Sequence, residues 1–308
     1  MTTPDYNMII VTGPTASGKT GFAAKLAHVT GGEIISADSR QVYRGMDIGT
    51  GKDYDDYRVG DTTIPVHLID IADAGYKYNV YEYQRDFVEV YKKLRAENCL
   101  PIVCGGSGMY IDSIVRGYRL INVPVDESLR EELENYDTTQ LENRLKSYRN
   151  LHNRSDSDTK KRAIRAIEIE EYYLQNSELA GDFPSIVPLV TAIRYDRESR
   201  RRRISERLKQ RLKSGMVDEV QRLLDSGVGS TDLIYYGLEY RYITLYLTGE
   251  LSYDDMFTSL ETEIHRFAKR QMTWFRGMER RGTKIHWLDG YLPDDEKIQR
   301  VLDAGYFK

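Results

Sequence analysis

Eight residues near the N-terminus combine glycines, a lysine and a threonine at a spacing that can bind phosphate. The segment Gly13-Pro14-Thr15-Ala16-Ser17-Gly18-Lys19-Thr20 fits the pattern G-x-x-x-x-G-K-[ST] at every fixed position. The glycines let backbone amides converge on phosphate oxygens, Lys19 neutralises the distal phosphates, and the Thr20 hydroxyl can ligate Mg²⁺. The pattern predicts a di- or triphosphate site, and it leaves open which bond is broken.

The elements around this segment predict how it is held. It lies between an apolar run at 8–12 and a stretch with helical spacing, which is the context that the motif requires. Buried-strand patterns recur, separated by helical stretches, at 33–37, 64–69, 101–104 and 186–193. This alternation predicts an α/β fold, a P-loop NTPase-like and mainly parallel sheet with helices on both faces.

The strand signal disappears in the middle of the chain. Between 119 and 188 charged helical segments replace it, so we predict a helical insertion domain over 119–188. The core would then consist of 1–118 and 189–308, the second part including C-terminal helices.

Composition excludes several classes of protein. No apolar run is long enough for a bilayer and no signal peptide precedes the first strand, so we expect a cytoplasmic protein with no membrane contact. The two cysteines, Cys99 and Cys104, lack metal-ligand spacing and are expected to be reduced. The net charge of the chain is −4, yet the segment 194–213 contains ten basic residues and only three acidic ones. So dense a basic face indicates an anionic partner, although a solvated surface helix would show the same spacing.

Asp38 follows the second predicted strand directly. Ligands of parallel sheets bind outside the carboxyl ends of the strands, so Asp38 should face the same crevice as the phosphate segment. A carboxylate beside phosphate is electrostatically costly, which favours a catalytic role such as general base for a hydroxyl or amine. A helix N-cap is the alternative. Asp70, at the end of another strand, could serve a metal or a turn, and its role is left open.

Five segments follow one another along the chain: GPTASGKT, ISADSRQVYRGMDIGT, GGSGMYI, RAIRAIEI and AKRQMTWFR. Together, and in this order, they closely resemble the tRNA dimethylallyltransferase family. The resemblance implies a phosphate-loop core with a helical insertion, and dimethylallyl diphosphate and Mg²⁺ as co-substrate and metal. It also implies alkylation of N6 of the adenosine immediately 3′ of the anticodon, with the tRNA anticodon stem-loop as partner. We expect a monomer.

The resemblance also implies residue roles, matched position by position. Asp38 falls on the general base, and Ser107 on a tRNA-contacting position where the family usually has Thr. Arg203 and Arg207 lie in the stretch that supplies a diphosphate-binding arginine, and the sequence does not say which one does so. Two segments match tRNA contacts: Asp38, Ser39, Arg40 and Gln41, and then Lys161, Arg162, Ala163, Ile164 and Arg165.

Two motifs depart from the family pattern. Its GTAKP reads Gly49-Thr50-Gly51-Lys52-Asp53 here, which loses the proline, and its TRQLAKRQ reads IHRFAKRQ at 264–271. These changes would suit a divergent paralogue and put substrate range in doubt more than reaction class.

Other functions remain as alternatives. A P-loop small-molecule kinase, with Asp38 activating a hydroxyl toward ATP, explains only the first two motifs. A free-adenylate isopentenyltransferase shares the core and the base segment, but the predicted insertion and its basic cluster at 161–165 favour tRNA. A non-enzymatic RNA-binding module would need no complete phosphate loop.

Overall fold

The computed structural model describes residues 5–148, 159–176 and 182–307. Within these ranges the strands are β1 (Asp5–Tyr6), β2 (Met8–Thr12), β3 (Glu33–Ser36), β4 (Arg58–Val59), β5 (Thr62–Thr63), β6 (Val66–His67), β7 (Pro101–Gly105), β8 (Pro188–Arg194), β9 (Ile285–Asp289) and β10 (Tyr306–Phe307). The helices are α1 (Lys19–Thr30), α2 (Val80–Ala96), α3 (Gly108–Val115), α4 (Glu127–Glu134), α5 (Thr138–Tyr148), α6 (Lys160–Gln175), α7 (Arg197–Lys213), α8 (Met216–Asp225), α9 (Ser230–Tyr235), α10 (Leu238–Leu247), α11 (Tyr253–Arg280) and α12 (Asp294–Leu302). None of these helices is long and apolar enough to cross a bilayer.

A six-stranded sheet forms the centre of the larger unit. Its order is β6-β3-β7-β2-β8-β9, and every neighbouring pair is parallel. All five residues of β2 are buried, so the side chains on both faces of this strand are covered. On one face Ile9 and Val11 pack with Phe22 and Leu26 of α1. The predicted α/β class with a mainly parallel sheet is confirmed.

The helices after β8 form a second apolar core. Ile204 and Leu208 of α7 pack there with residues of α8 to α11 and with Val42 and Tyr43 from the segment after β3. The basic helix α7 is therefore held by its apolar side against the loops that follow the sheet.

The chain divides into two compact units, Met1–Gly117 with Pro184–Lys308, and Tyr118–Phe183. Residues 184–188, which the sequence placed in the insertion, group with the first unit. The reason is that the Asn7 side chain bonds to the backbone of Ser185 and Val187, and β8 begins at Pro188. Residues 149–158 and 177–181 of the predicted insertion lie outside the described residues.

The smaller unit has its own core. Leucines and isoleucines of α4, α5 and α6 pack together, among them Leu133, Leu141 and Ile167. Beside them the buried carboxylate of Glu168 accepts two hydrogen bonds of 3.0 Å from the guanidinium of Arg130. This buried carboxylate ties α4 to α6.

Glu219 of α8 clamps the loop that follows the Asp38 segment. Its buried carboxylate accepts hydrogen bonds from the amides of Asp47, Ile48 and Gly49, at 3.0, 2.7 and 2.9 Å, and from the Tyr240 hydroxyl at 2.6 Å. Without this carboxylate three neighbouring amides would lose their acceptor, and an unsatisfied buried donor is costly.

Replacing Glu219 with Ala should therefore lower the free energy of unfolding by roughly 3 kcal/mol or more, since each of the three amides left without its acceptor costs about 1–3 kcal/mol. Urea denaturation measures this change. Gln221→Ala, on an exposed position of the same helix, is the control and should stay within about 0.5 kcal/mol. Equal effects of the two changes would contradict the role of the clamp.

Candidate active site

The phosphate loop connects β2 to α1 with an unusual backbone. Gly13 and Gly18 have φ of 149° and 77°, in the region that favours glycine, and Ala16 also has a positive φ of 61°. A Cβ on Gly13 would lie 2.8 Å from the carbonyl oxygen of Ile193, so only glycine fits there. The first amides of α1 lack helical partners and point to the concave side of such a loop.

Three polar side chains of the loop fit an anionic ligand. Lys19 is half-buried, and burial lowers its pKa, so a phosphate would restore the stability of its charged form. The Ser17 hydroxyl oxygen is buried and has no hydrogen-bond partner among the described residues. Thr20 follows in the first turn of α1. The loop thus holds a buried, unsatisfied polar atom beside a cation, as a phosphate site requires.

These residues also fit Mg²⁺. The described residues contain no cluster of three or more His, Cys, Asp or Glu side chains that could cage a metal. Mg²⁺ bound to phosphorylated substrates usually needs only one or two protein ligands, because phosphate oxygens and waters supply the rest. The Thr20 hydroxyl, in the first turn of α1, could supply one such ligand.

Gln271 of α11 links the phosphate loop to the loop after β7. Its Oε1 accepts a hydrogen bond from the Thr15 amide at 2.9 Å, and its Nε2 donates to the Gly106 carbonyl at 3.0 Å. The side chain is buried. Both ends of one amide thus fix the spacing between two loops, and the Thr15 amide is not available to phosphate.

The segment after β3 is tied to the same place. Ser107 accepts a hydrogen bond from the Ser39 amide at 2.9 Å, and its own amide donates to the Ala37 carbonyl at 3.2 Å. Asp38, between these contacts, is half-buried, and its Oδ1 accepts from the Arg40 amide at 3.0 Å. Its charge also opposes the lowering of the Lys19 pKa. The Asp38 carboxylate therefore lies at the edge of the sheet where the phosphate loop begins.

The remaining residues of this segment have different roles. Arg40 lies over the ring of Tyr235, with 5.6 Å from the guanidinium carbon to the ring centroid, and that tyrosine is 53% exposed. Gln41 is buried, and its Nε2 donates to the Gly51 carbonyl at 3.0 Å. Arg40 is available to a ligand, whereas Gln41 holds the next loop.

The structure distinguishes the two candidate arginines. Arg203 Nε donates to the Ala16 carbonyl of the phosphate loop at 2.9 Å, and its guanidinium carbon lies 4.5 Å from the Tyr195 ring centroid. Arg207, one turn later, reaches Asp53 at 2.7 Å. Arg203 thus contacts the phosphate loop directly, whereas Arg207 lines a small cavity together with Thr15 and Ala16 of that loop.

That cavity also contains residues that sequence reasoning did not select. Arg211 and Glu239 line it together with Thr15 and Ala16 of the phosphate loop. Burial lowers the pKa of Arg211 and raises the pKa of Glu239. Only the basic spacing of α7 signalled Arg211, and nothing in the sequence signalled Glu239.

Asp70, whose role was open, has a structural contact. It pairs with Lys52 and accepts a hydrogen bond from the Tyr54 hydroxyl. The Lys52 side chain is fully buried, and it also contacts Asp47 at 2.9 Å. Asp70 therefore serves as counter-ion to a buried lysine. Cys104 is buried as well, and burial raises the pKa of its thiol to about 12, which keeps the group neutral.

The basic cluster of α6 contains both surface and packing residues. Lys161 and Arg162 are exposed, whereas Ala163 and Ile164 are buried in the core of the smaller unit, so their side chains support the helix. Arg165 pairs with Glu168 and donates to the Val123 and Pro124 carbonyls at 2.8 and 3.2 Å. Arg165 thus holds α6 to the segment before α4.

Known proteins are similar to this chain in sequence. The model of the family described as IPP transferase matches residues 41–278. A protein of Bacteroides fragilis named tRNA dimethylallyltransferase 2 is 59% identical over 301 residues, which is 98% of each chain. One of Parabacteroides distasonis, named tRNA dimethylallyltransferase 1, is 58% identical over 96% of this chain and 97% of its own.

Solved structures agree. The tRNA isopentenylpyrophosphate transferase of Bacillus halodurans superposes with a TM-score of 0.68 at 28% identity, covering 96% of this chain and 94% of its own. A eukaryotic dimethylallyltransferase acting on tRNA has the same fold, with a TM-score of 0.74 at 20% identity, over 92% of this chain and 73% of that one. The matched family model and the identity along the whole chain confirm the resemblance: this chain belongs to the IPP transferase family.

Proposed function

We propose that the protein is a tRNA dimethylallyltransferase, which transfers a dimethylallyl group from dimethylallyl diphosphate to N6 of the adenosine 3′ of the anticodon. The observation that carries this proposal is the position of the Asp38 carboxylate. It lies beside a phosphate loop, where repulsion from a bound diphosphate makes a carboxylate unfavourable unless chemistry needs it.

The residues of the site can divide the work of the transfer. The bond between C1 and the bridging oxygen breaks, the diphosphate leaves with the electron pair, and N6 forms a bond to C1. Lys19, the loop amides and Arg203 stabilise the charge that grows on the leaving oxygens. Asp38 orients the weakly basic N6 amine and accepts its proton. The adenosine must leave the anticodon stack to reach this carboxylate.

Thr20 would hold Mg²⁺ together with phosphate oxygens. When bound, the ion neutralises charge on the departing diphosphate. A location in the cytoplasm, where tRNA is found, fits the proposed substrate.

One assay tests the function directly. Radiolabelled dimethylallyl diphosphate is incubated with the full chain, Mg²⁺ and unmodified tRNA, and label in the tRNA is measured. AMP replaces tRNA in a second arm, and ATP with a small hydroxyl acceptor replaces the prenyl donor in a third. Label in tRNA, with no transfer to AMP and no consumption of ATP, supports the proposal. Transfer to AMP would favour the free-adenylate enzyme, and ATP consumption would favour the kinase.

Replacing Lys19 with Ala should cripple transfer and weaken diphosphate binding, because a cation is lost from a site where charge-assisted contacts are strong. Steady-state kinetics and pyrophosphate titration measure both effects. Lys25→Ala, on an exposed position of the same helix, is the control. Wild-type kinetics in the Lys19 variant would refute the assignment of the phosphate loop.

Asp38→Asn should lower kcat by roughly 10²- to 10⁴-fold, the range expected for general acid–base catalysis, and should leave tRNA affinity nearly intact. Separate measurement of kcat, KM and tRNA affinity checks this. Asp61→Asn, in an exposed turn, should behave as wild type. A loss confined to KM would mean that Asp38 only positions the RNA.

Lys161 tests the insertion without disturbing its packing, because this side chain is exposed whereas Arg165 holds the backbone of 123–124. If Lys161 contacts a tRNA phosphate, Lys161→Ala should weaken tRNA binding and flatten the slope of log K against log salt by about one unit. Pyrophosphate binding should not change. Lys146→Ala in α5 of the same unit is the control, and an unchanged affinity and slope for Lys161→Ala would identify a solvated face.

A further inference from the structure

Two arginines of α7 share one carboxylate at the phosphate site. Asp53 Oδ2 lies 2.7 Å from Nη2 of Arg207 and 3.4 Å from Nη2 of Arg211. The arginine side chains are 32% and 12% exposed, and that of Asp53 is 46% exposed. The carboxylate thus reaches from solvent onto two guanidinium groups that are themselves largely covered.

The two departures in the Gly49–Asp53 motif meet at this contact. Gly51 replaces an alanine of the family pattern, and a Cβ on it would collide with the Arg211 guanidinium and lie 2.8 Å from Nη2 of Arg207. Asp53 replaces the proline and supplies the counter-ion. The absence of a side chain at Gly51 leaves room for the two guanidiniums, and the Asp53 carboxylate contacts both of them.

The paired arginines belong to the phosphate site. They line the cavity that Thr15 and Ala16 of the phosphate loop also line, and both contribute to lowering the pKa of Lys19. Two guanidiniums so near a lysine repel one another and the lysine, and a buried charge needs a partner. In the described residues Asp53 is the carboxylate that contacts both arginines.

We propose that Asp53 is an intramolecular counter-ion that occupies the anion site of Arg207 and Arg211 and is displaced when a diphosphate binds. This inference rests on the proposed function, because it names what competes for the diphosphate in that site. A diphosphate carries more charge than one carboxylate and accepts more hydrogen bonds from two guanidiniums. The half-exposed Asp53 can turn into water at small cost.

The loop that leads to Asp53 is held by hydrogen bonds at two places. The Gly51 carbonyl accepts the hydrogen bond from buried Gln41, which follows Asp38 by three residues. Glu219 clamps Asp47, Ile48 and Gly49 on the other side of Gly51. The loop is therefore fixed on the N-terminal side of Asp53, and the Asp53 side chain can leave the arginines while residues 47–51 stay in place.

Titration of the full chain with inorganic pyrophosphate tests the competition. Asp53→Asn keeps the shape of the side chain and removes its charge, so pyrophosphate should bind about tenfold more tightly. Asp55→Asn removes the same charge two residues away, at an exposed position with no arginine contact among the described residues, and should change affinity less than twofold. Asp53→Ala is a second variant and should gain affinity as well.

A double variant separates competition from general electrostatics. In an Arg207→Ala background, Asp53→Asn should increase affinity less than threefold, because the main partner of Asp53 is gone. Unchanged or weaker binding by Asp53→Asn and Asp53→Ala would overturn the inference and mean that Asp53 positions the arginines. A tenfold gain that persists without Arg207 would overturn it too. If the wild-type protein binds no pyrophosphate and Lys19→Ala does not change the transfer kinetics, both the proposed function and this inference fail.

Discussion

The site depends on one buried amide. Three loops that follow β2, β3 and β7 carry the groups that act, and loops from different strands have no fixed spacing of their own. Gln271 joins the first and third loops through hydrogen bonds at both ends of its side chain, and the Ser39–Ser107 contact joins the second to the third. A buried amide with both ends paired is costly to disturb, so Gln271 fixes the phosphate loop against the loop after β7, and through Ser107 the Asp38 segment is held at the same place.

Charge balance is the second constraint. The site gathers Lys19, Arg203, Arg207 and Arg211, and the Asp53 carboxylate lies within hydrogen-bond reach of the last two. Burial and the neighbouring Arg207 and Arg211 lower the pKa of Lys19, so an anion bound beside this lysine would favour its charged form. Glu239, whose own pKa burial raises, lies in the same cavity. A diphosphate would thus add negative charge where three arginines and a lysine lie close together.

The sequence predicted the parts of this site that follow from local patterns. The phosphate loop needs glycines at set positions, and a parallel sheet brings strand ends together, so Lys19 and Asp38 could be assigned to one edge in advance. Gln271 lies inside the segment AKRQMTWFR, but no local sequence pattern indicates which residue of a helix contacts a loop more than 160 positions earlier. Glu219 had no signal, because three of its four partners are backbone amides, which nearly every residue possesses. Such contacts are set by tertiary packing alone.

The basic cluster at 160–165 illustrates the limit of reading charge from sequence. The spacing of basic residues along a helix does not distinguish a lysine exposed to solvent from an arginine that donates hydrogen bonds to backbone carbonyls of the same protein. In the structure Arg165 fills carbonyl acceptors at 123 and 124 and pairs with Glu168, and Lys160 contacts Glu134 at 3.2 Å. A charge already paired within the protein releases fewer counterions on binding RNA than an exposed one. Arg165 therefore helps to hold α6 in place, whereas Lys161 is exposed and is the residue of this cluster whose proposed contact with RNA phosphate the salt dependence of binding can test.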